Sequence, residues 1–169
     1  MKSYYYVGPE DILELTKSIE KGYLIASISD IETWIKETEQ YVDSNSEVIA
    51  TFVINLGGNL LIADRHSEHV ACAGGKNVLS AGEMTFRVEN DEVEVVEVTN
   101  QSTGYCPEPE SWSVIDHALR KIEISHPASL EREFIFRKCI NCGGINIVKD
   151  QWYVCMECDS DLPCEWNFS

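Results

Sequence analysis

Positive charge is scarce in this sequence. It has 13 Lys and Arg against 29 Asp and Glu, so the formal net charge at pH 7 is −16. Nucleic-acid binding depends on clusters of Lys and Arg that neutralise phosphates, and anionic membranes attract basic segments for the same reason. The composition therefore argues against a nucleic-acid partner and against a membrane surface. It favours a partner protein with a basic surface.

Long hydrophobic runs and a signal-peptide core are also missing. No apolar stretch reaches the roughly 18 residues of a membrane-spanning helix. Near the N-terminus, Pro9, Glu10 and Asp11 come too early to leave room for the apolar core of a signal peptide. Four of the seven cysteines form a metal-binding pattern and three are scattered, which fits a reducing compartment better than a disulfide framework. We predict a cytoplasmic protein.

Hydrophobic periodicity predicts an α+β fold. With 44% hydrophobic and 25% charged residues, the chain can bury a core. Helical spacing and start signals predict about three helices: one after Pro9 with Ile12, Leu15 and Ile19 on its buried face, one after a capping box at Ser29–Glu32, and one after Ser111. Strand patterns joined by turn residues predict a mostly antiparallel sheet, with strands at Val48–Ile54, Leu60–Ala63, Val78–Val88 and Val93–Val98.

Four cysteines near the C-terminus have the spacing of a metal site. Cys139 and Cys142 form one Cys-x2-Cys pair, and Cys155 and Cys158 form a second pair, with twelve residues between the pairs. Each pair closes a tight turn, called a knuckle, whose two sulfurs point at one ion, and four thiolates are the usual ligands of structural Zn²⁺. The sequence therefore predicts a structural zinc site.

The segment around these cysteines, residues 134–169, resembles a zinc ribbon of the four-cysteine type. The resemblance implies a hairpin between the knuckles, with strands Ile145–Lys149 and Trp152–Val154 around a turn at Asp150–Gln151, and Trp152 in its core. After each pair the backbone needs positive φ, which Gly143 supplies readily and Asp159 tolerates. We expect two units: an α+β domain over residues 1–132 and a zinc ribbon over 133–169 packed on it.

A polar cluster after the second predicted strand is a candidate site. His66, His69 and Cys72 are three residues apart, which would suit metal ligands or a Cys–His pair on a helix. On a strand, the same spacing would point them in alternating directions. The competing interpretation places both histidines in a polar loop and Cys72 in the core.

A second candidate is the loop from Asn100 to Pro107. With His66 and His69, its side chains Asn100, Ser102 and Tyr105 could line a ligand pocket, and Cys106 could be a nucleophile. Acidic surroundings predict raised pKa values for the histidines. The alternative is a connecting loop whose Asn and Ser side chains bond to its own backbone.

Residues 64–107 also resemble an uncharacterised module of bacterial toxin and effector proteins. The resemblance is carried by His66-Ser67, Gly74-Gly75, Val78, Ala81-Gly82-Glu83, Asn100, Ser102, Gly104, Tyr105 and Pro107. This chain departs from the pattern by an inserted Thr103 and by the absence of a His before Tyr105. The likeness implies a bacterial context and an architecture, without a reaction.

The function that these patterns favour is protein recognition. We predict an acidic cytoplasmic zinc-ribbon protein of bacteria that serves as a recognition or accessory module, with a toxin or defence system as a context. The alternative is an enzyme whose polar pocket lies between His66/His69 and the Asn100–Cys106 loop. The sequence leaves the roles of Cys72, Cys106 and Cys164 open, as well as the partner and the oligomeric state.

Overall fold

The computed structural model describes residues 2–19 and 21–168 and confirms the α+β prediction. Besides the three helices that the sequence predicts, the described residues form a further helix of one turn. The helices are Glu10–Thr16 (α1), Ile28–Glu37 (α2), His69–Cys72 (α3) and Trp112–Ile122 (α4), and a 3₁₀ turn, Pro109–Ser111, leads into α4. The strands are Tyr23–Ile25 (β1), Glu47–Asn55 (β2), Leu60–Asp64 (β3), Val78–Glu89 (β4), Glu92–Val98 (β5), Ile135–Lys138 (β6) and Ile145–Val148 (β7).

A five-stranded antiparallel sheet forms the centre of the molecule, with strand order β1-β3-β2-β4-β5. Its long hairpin turns at Asn90 and Asp91, which have φ of 52° and 61°. Asn and Asp tolerate this left-handed backbone, and the two-residue turn matches the twist of the strands. The tolerance of Asn and Asp for positive φ therefore explains why a turn forms between β4 and β5.

Apolar residues cover both faces of this sheet. On one face, α2 and α4 bury the larger core. It includes Trp34, Phe52, Ile62, Phe86, Ile115 and Leu119. The opposite face packs against α3, the N-terminal segment and the loop after β5. That smaller core includes Tyr4, Val53, Leu61, Val70, Val78 and Tyr105. Burial on both faces explains why the central strands are apolar along much of their length.

Two helix predictions need correction. The carboxylate of Asp30 accepts hydrogen bonds from the backbone N–H of Ser27 and of Ala26, so α2 begins at Ile28, two residues earlier than a capping box at Ser29 would place it. In α1, Leu15 and Ile19 are exposed, and the helix packs through Ile12 and Leu13 instead. The helix ends at Thr16, so Ile19 cannot extend its buried face.

The C-terminal segment contacts the rest of the chain through polar and aromatic side chains. Arg137 of β6 is 3% exposed and forms a two-pronged ion pair with Glu108, with N–O distances of 2.7 and 3.2 Å. The same guanidinium donates to the carbonyl of Cys164 at 2.7 Å. The indole N–H of Trp166 donates to the carbonyl of Cys106 at 2.7 Å. These bonds fix β6, and therefore the first knuckle, relative to the loop after β5.

Among the described residues, no helix combines the length and the apolar character needed to cross a bilayer.

Candidate metal centre

The two knuckles have matching backbone geometry. In the first, the N–H of Gly143 donates to the carbonyl of Cys139 at 2.9 Å; in the second, that of Asp159 donates to Cys155 at 3.0 Å. Gly143 and Asp159 both have positive φ, 78° and 59°. The prediction that Asp159 takes the position of the glycine is confirmed. Asp is tolerated there because its short side chain reduces the strain of the left-handed backbone.

The sulfur atoms lie at the spacing that one ion requires. The four Sγ atoms of Cys139, Cys142, Cys155 and Cys158 all lie within 4.8 Å of one another. The Sγ–Sγ distance is 3.5 Å for Cys139 and Cys158, and 3.6 Å for Cys142 and Cys155. A tetrahedral ion with sulfur bonds of about 2.3 Å would separate its ligands by about 3.8 Å. The four cysteines can therefore hold a metal ion with only small adjustments.

Hydrogen bonds prepare two of these cysteines to be thiolates. The Asn141 amide, together with the hydroxyl and N–H of Ser160, lowers the pKa of Cys158 to about 6. The Asn146 amide is the main group that lowers the pKa of Cys155. At Cys142 the N–H of Gly144 lowers the pKa, but the sulfurs of the other three cysteines, together with desolvation, outweigh this bond and raise the pKa to about 12. These hydrogen bonds favour the thiolate at Cys155 and Cys158, and the thiolate is the form that binds metal.

Asn146 is a supporting residue that sequence reasoning missed. This buried side chain on β7 donates to the Cys155 sulfur at 3.4 Å and accepts from the N–H of Met156 at 2.9 Å. It therefore links β7 to the second knuckle and orients a ligand, as residues around metal sites commonly do. The available signal was its position on β7, because alternate residues of this strand are buried on the side of the cysteines.

The strand pairing within this segment differs from the zinc-ribbon expectation. Ile145–Val148 pairs with Ile135–Lys138, before the first knuckle, and not with Trp152–Val154. Asp150 and Gln151 do form a turn, with φ of 52° and 59°. Beyond it, however, Trp152 is 66% exposed. The prediction of Trp152 as core is wrong, because the strand it was expected to extend does not form.

The histidine cluster is divided between surface and interior. His66 lies on the surface, with its Nδ1 2.9 Å from the Asp64 carboxylate. His69 is the first residue of α3, and its Nε2 lies 2.9 Å from the carbonyl of Gly82. Burial lowers the pKa of His69, so the expectation of a raised value is wrong for this residue. Cys72 is in the core, and burial raises its pKa to about 12.

The loop after β5 satisfies its own polar groups. The side chain of Asn100 donates to the carbonyls of Pro107 and Phe134 and accepts from the N–H of Phe134, at 2.8 to 2.9 Å. Ser102 is buried and accepts from the N–H of Tyr105. Asn100 thus connects the loop to the segment that leads into β6.

Tyr105 and Cys106 are also fully buried. The hydroxyl of Tyr105 donates to the carbonyl of Lys76 at 2.6 Å. Burial raises the pKa of Cys106 to about 12, which disfavours the thiolate that a nucleophile needs. The structure thus brings Asn100, Ser102, Tyr105 and Cys106 together in one buried turn and leaves His66 on the surface.

Gly82 lies where two strand segments approach too closely for any side chain. A Cβ atom at this position would lie 1.9 Å from the carbonyl oxygen of Thr99. Only glycine allows β4 and the strand end at Thr99 to approach this closely. The glycine, His69 on its carbonyl and the buried Asn100 next to Thr99 therefore form one packed unit.

Among the described residues, the four cysteines are the only group of three or more His, Cys, Asp or Glu side chains placed to share a metal ion. Comparisons with protein-family models, with curated proteins and with solved structures gave no match for this chain.

Proposed function

We propose that this chain is a zinc-ribbon protein that recognises another protein, with Zn²⁺ as a structural element. The observation that carries the proposal is the metal centre itself, in which four sulfurs from the chain surround one position. An ion held by four protein ligands keeps no open position for a substrate, which is the arrangement of structural zinc sites. The knuckles and the strands beside them would then form a rigid surface.

Thiolate chemistry and local charge support zinc and a protein partner. Four thiolates select soft or borderline ions, and zinc is the usual one in a pair of Cys-x2-Cys knuckles. With a net charge of −16, the chain is suited to attract a basic protein surface. On the C-terminal segment, Arg137 is buried against Glu108, which leaves Lys138 and Lys149 as its surface cations. This balance is unfavourable for nucleic acid.

The cellular context is part of the same proposal. The likeness of residues 64–107 to a module of bacterial toxin and effector proteins supports an accessory role in a toxin or defence system. The scattered cysteines support a reducing cytoplasm. The alternative of an enzyme pocket would need His66 to share a cavity with Asn100 and Tyr105, whereas these two side chains are buried and bonded to backbone groups.

Affinity capture followed by reconstitution tests the recognition role. The zinc-loaded chain would be immobilised and exposed to an extract of the source cells, and each retained protein would then be purified and titrated against the free chain. We expect a basic partner whose affinity falls as salt is raised. If no retained protein binds once purified, or if binding is independent of salt, the proposed recognition by charge is wrong.

A further inference from the structure

The tips of the two knuckles expose apolar side chains to an unusual degree. Ile140 and Met156 are each 80% exposed, more than any other large hydrophobic side chain of the described residues except Tyr41. Each follows the first cysteine of its pair, and that cysteine turns its sulfur inward. Single exposed apolar residues are common on proteins. Here, however, two of them occupy the same position in adjacent turns.

The two turns that carry these side chains are in contact, since the Asn141 amide donates to the Cys158 sulfur at 3.5 Å. Because the four sulfurs lie within 4.8 Å of one another, the turns that carry them are neighbours. Residues 140–143 of the first turn and residues 156 and 157 of the second are all exposed. We call these six residues the knuckle surface. Hydrogen bonds from backbone N–H groups to the sulfurs of Cys139 and Cys155, at 3.5 and 3.4 Å, hold its shape.

The charge around the knuckle surface is acidic. After Lys149 the sequence contains no Lys or Arg, while Glu157, Asp159 and Asp161 are exposed in and beside the second turn. Four thiolates around one Zn²⁺ would add about two further negative charges at the same place. Lys138, next to the first turn, is the neighbouring cation. A second copy of this chain would bring like charges together, which disfavours self-association through this surface.

We infer that the knuckle surface is the docking site, and that its occupant is a basic segment of another protein that carries large aliphatic side chains flanked by Lys or Arg. This inference rests on the proposed recognition function and assigns it a surface. Ile140 and Met156 supply apolar contact, and the acidic rim supplies attraction and orientation. The fixed turns lose little conformational freedom on binding, which favours affinity.

A peptide titration of the zinc-loaded, ¹⁵N-labelled full chain tests this assignment. The probe is a Lys-rich synthetic peptide with two Leu residues; two matched peptides replace the Leu residues with Ser, or the Lys residues with Glu. We expect the first peptide to shift the amide resonances of residues 140–143 and 156–158. Both matched peptides should bind at least about tenfold more weakly, because each removes one component of recognition.

One double variant tests the knuckle surface, and a second double variant is its control. Ile140→Ser/Met156→Ser should weaken the Lys/Leu peptide roughly thirtyfold, as expected for the loss of central apolar contacts. Leu15→Ser/Tyr41→Ser removes two other highly exposed apolar side chains, 69% and 82% exposed, and should leave the affinity unchanged. Zinc content and melting temperature should match the wild type in both.

The outcomes separate this inference from the proposed function. Resonance shifts centred on the β4–β5 hairpin would overturn the docking site. So would an affinity of Ile140→Ser/Met156→Ser for the Lys/Leu peptide equal to that of the wild type. In either case, a captured partner that binds after purification would still support the recognition function. Sedimentation that showed a wild-type dimer lost in the knuckle variant would identify a second copy as the occupant and also overturn the inference. Failure to obtain any reconstituted partner would count against the proposed function itself.

Discussion

Breaking the buried ion pair between Arg137 and Glu108 should strongly destabilise the protein, because it leaves a buried charge without a partner. In Arg137→Met the aliphatic volume is roughly kept, but the carboxylate of Glu108, whose side chain is only 16% exposed, loses its partner. The carbonyls of Phe136 and Cys164 also lose their donor. Removing one member of a buried ion pair costs about 3–5 kcal/mol. We therefore expect Arg137→Met to lower the free energy of unfolding by about that amount.

A double-mutant cycle measured by denaturant unfolding, at a fixed zinc concentration, isolates the pair. Glu108→Gln alone should also destabilise the protein, and Arg137→Met/Glu108→Gln should lose less than the sum of the single variants by about 1–3 kcal/mol. The exposed pair of Lys17 and Glu14, with side chains 67% and 68% exposed, provides the control, and Lys17→Met should change stability by less than about 0.5 kcal/mol. If Arg137→Met were as mild as Lys17→Met, the buried contact with Glu108 would not hold the C-terminal segment more strongly than a surface ion pair does.

Three further predictions concern the metal centre and the polar residues of the main body. Replacing Cys142 with Ser should abolish tight metal binding and remove hydrogen-exchange protection from residues 139–158, because so small a segment depends on its ion; unchanged protection would show that it folds without metal. Asn100→Ala should lower the free energy of unfolding by about 2–4 kcal/mol, because the buried Asn100 side chain makes three hydrogen bonds to backbone groups; Gln101→Ala is the exposed control. Burial lowers the pKa of His69, so below about pH 6.5 the unfolded chain binds a proton that the folded chain does not. The free energy of unfolding should therefore decrease as the pH falls below about 6.5. The decrease should be smaller in His69→Gln. An equal fall in both proteins would rule out His69 as its source.

The sheet could be predicted because its strands carry two local signals. β2 is a nearly continuous apolar run, β5 largely alternates Glu and Val, and turn-forming residues separate the strands. The knuckle turns were also predictable, since Cys spacing and a residue that accepts positive φ are both visible in sequence. Helix packing was less accessible. The apolar residues of α1 fit a helical stripe through Leu15, but the helix ends at Thr16 and packs through Leu13.

The polar candidates show why a ligand pocket is hard to predict from sequence. Asn100 and Ser102 have the side chains of a binding site, yet in the structure they bond to the protein's own backbone. Sequence does not reveal whether a polar side chain faces a ligand or an otherwise unpaired backbone group. The pairing of β7 with β6 posed a similar difficulty, because the sequence of a short strand does not show which neighbouring strand its backbone will pair with.

The metal content of the purified protein shows whether the four cysteines bind one structural zinc ion. The chain would be purified without added metal, analysed for its elements, and examined by X-ray absorption at the zinc edge. We expect about one zinc per chain with four sulfur neighbours at about 2.3 Å. Iron in place of zinc, no bound metal, or zinc with fewer than four sulfur neighbours would contradict zinc binding by the four cysteines.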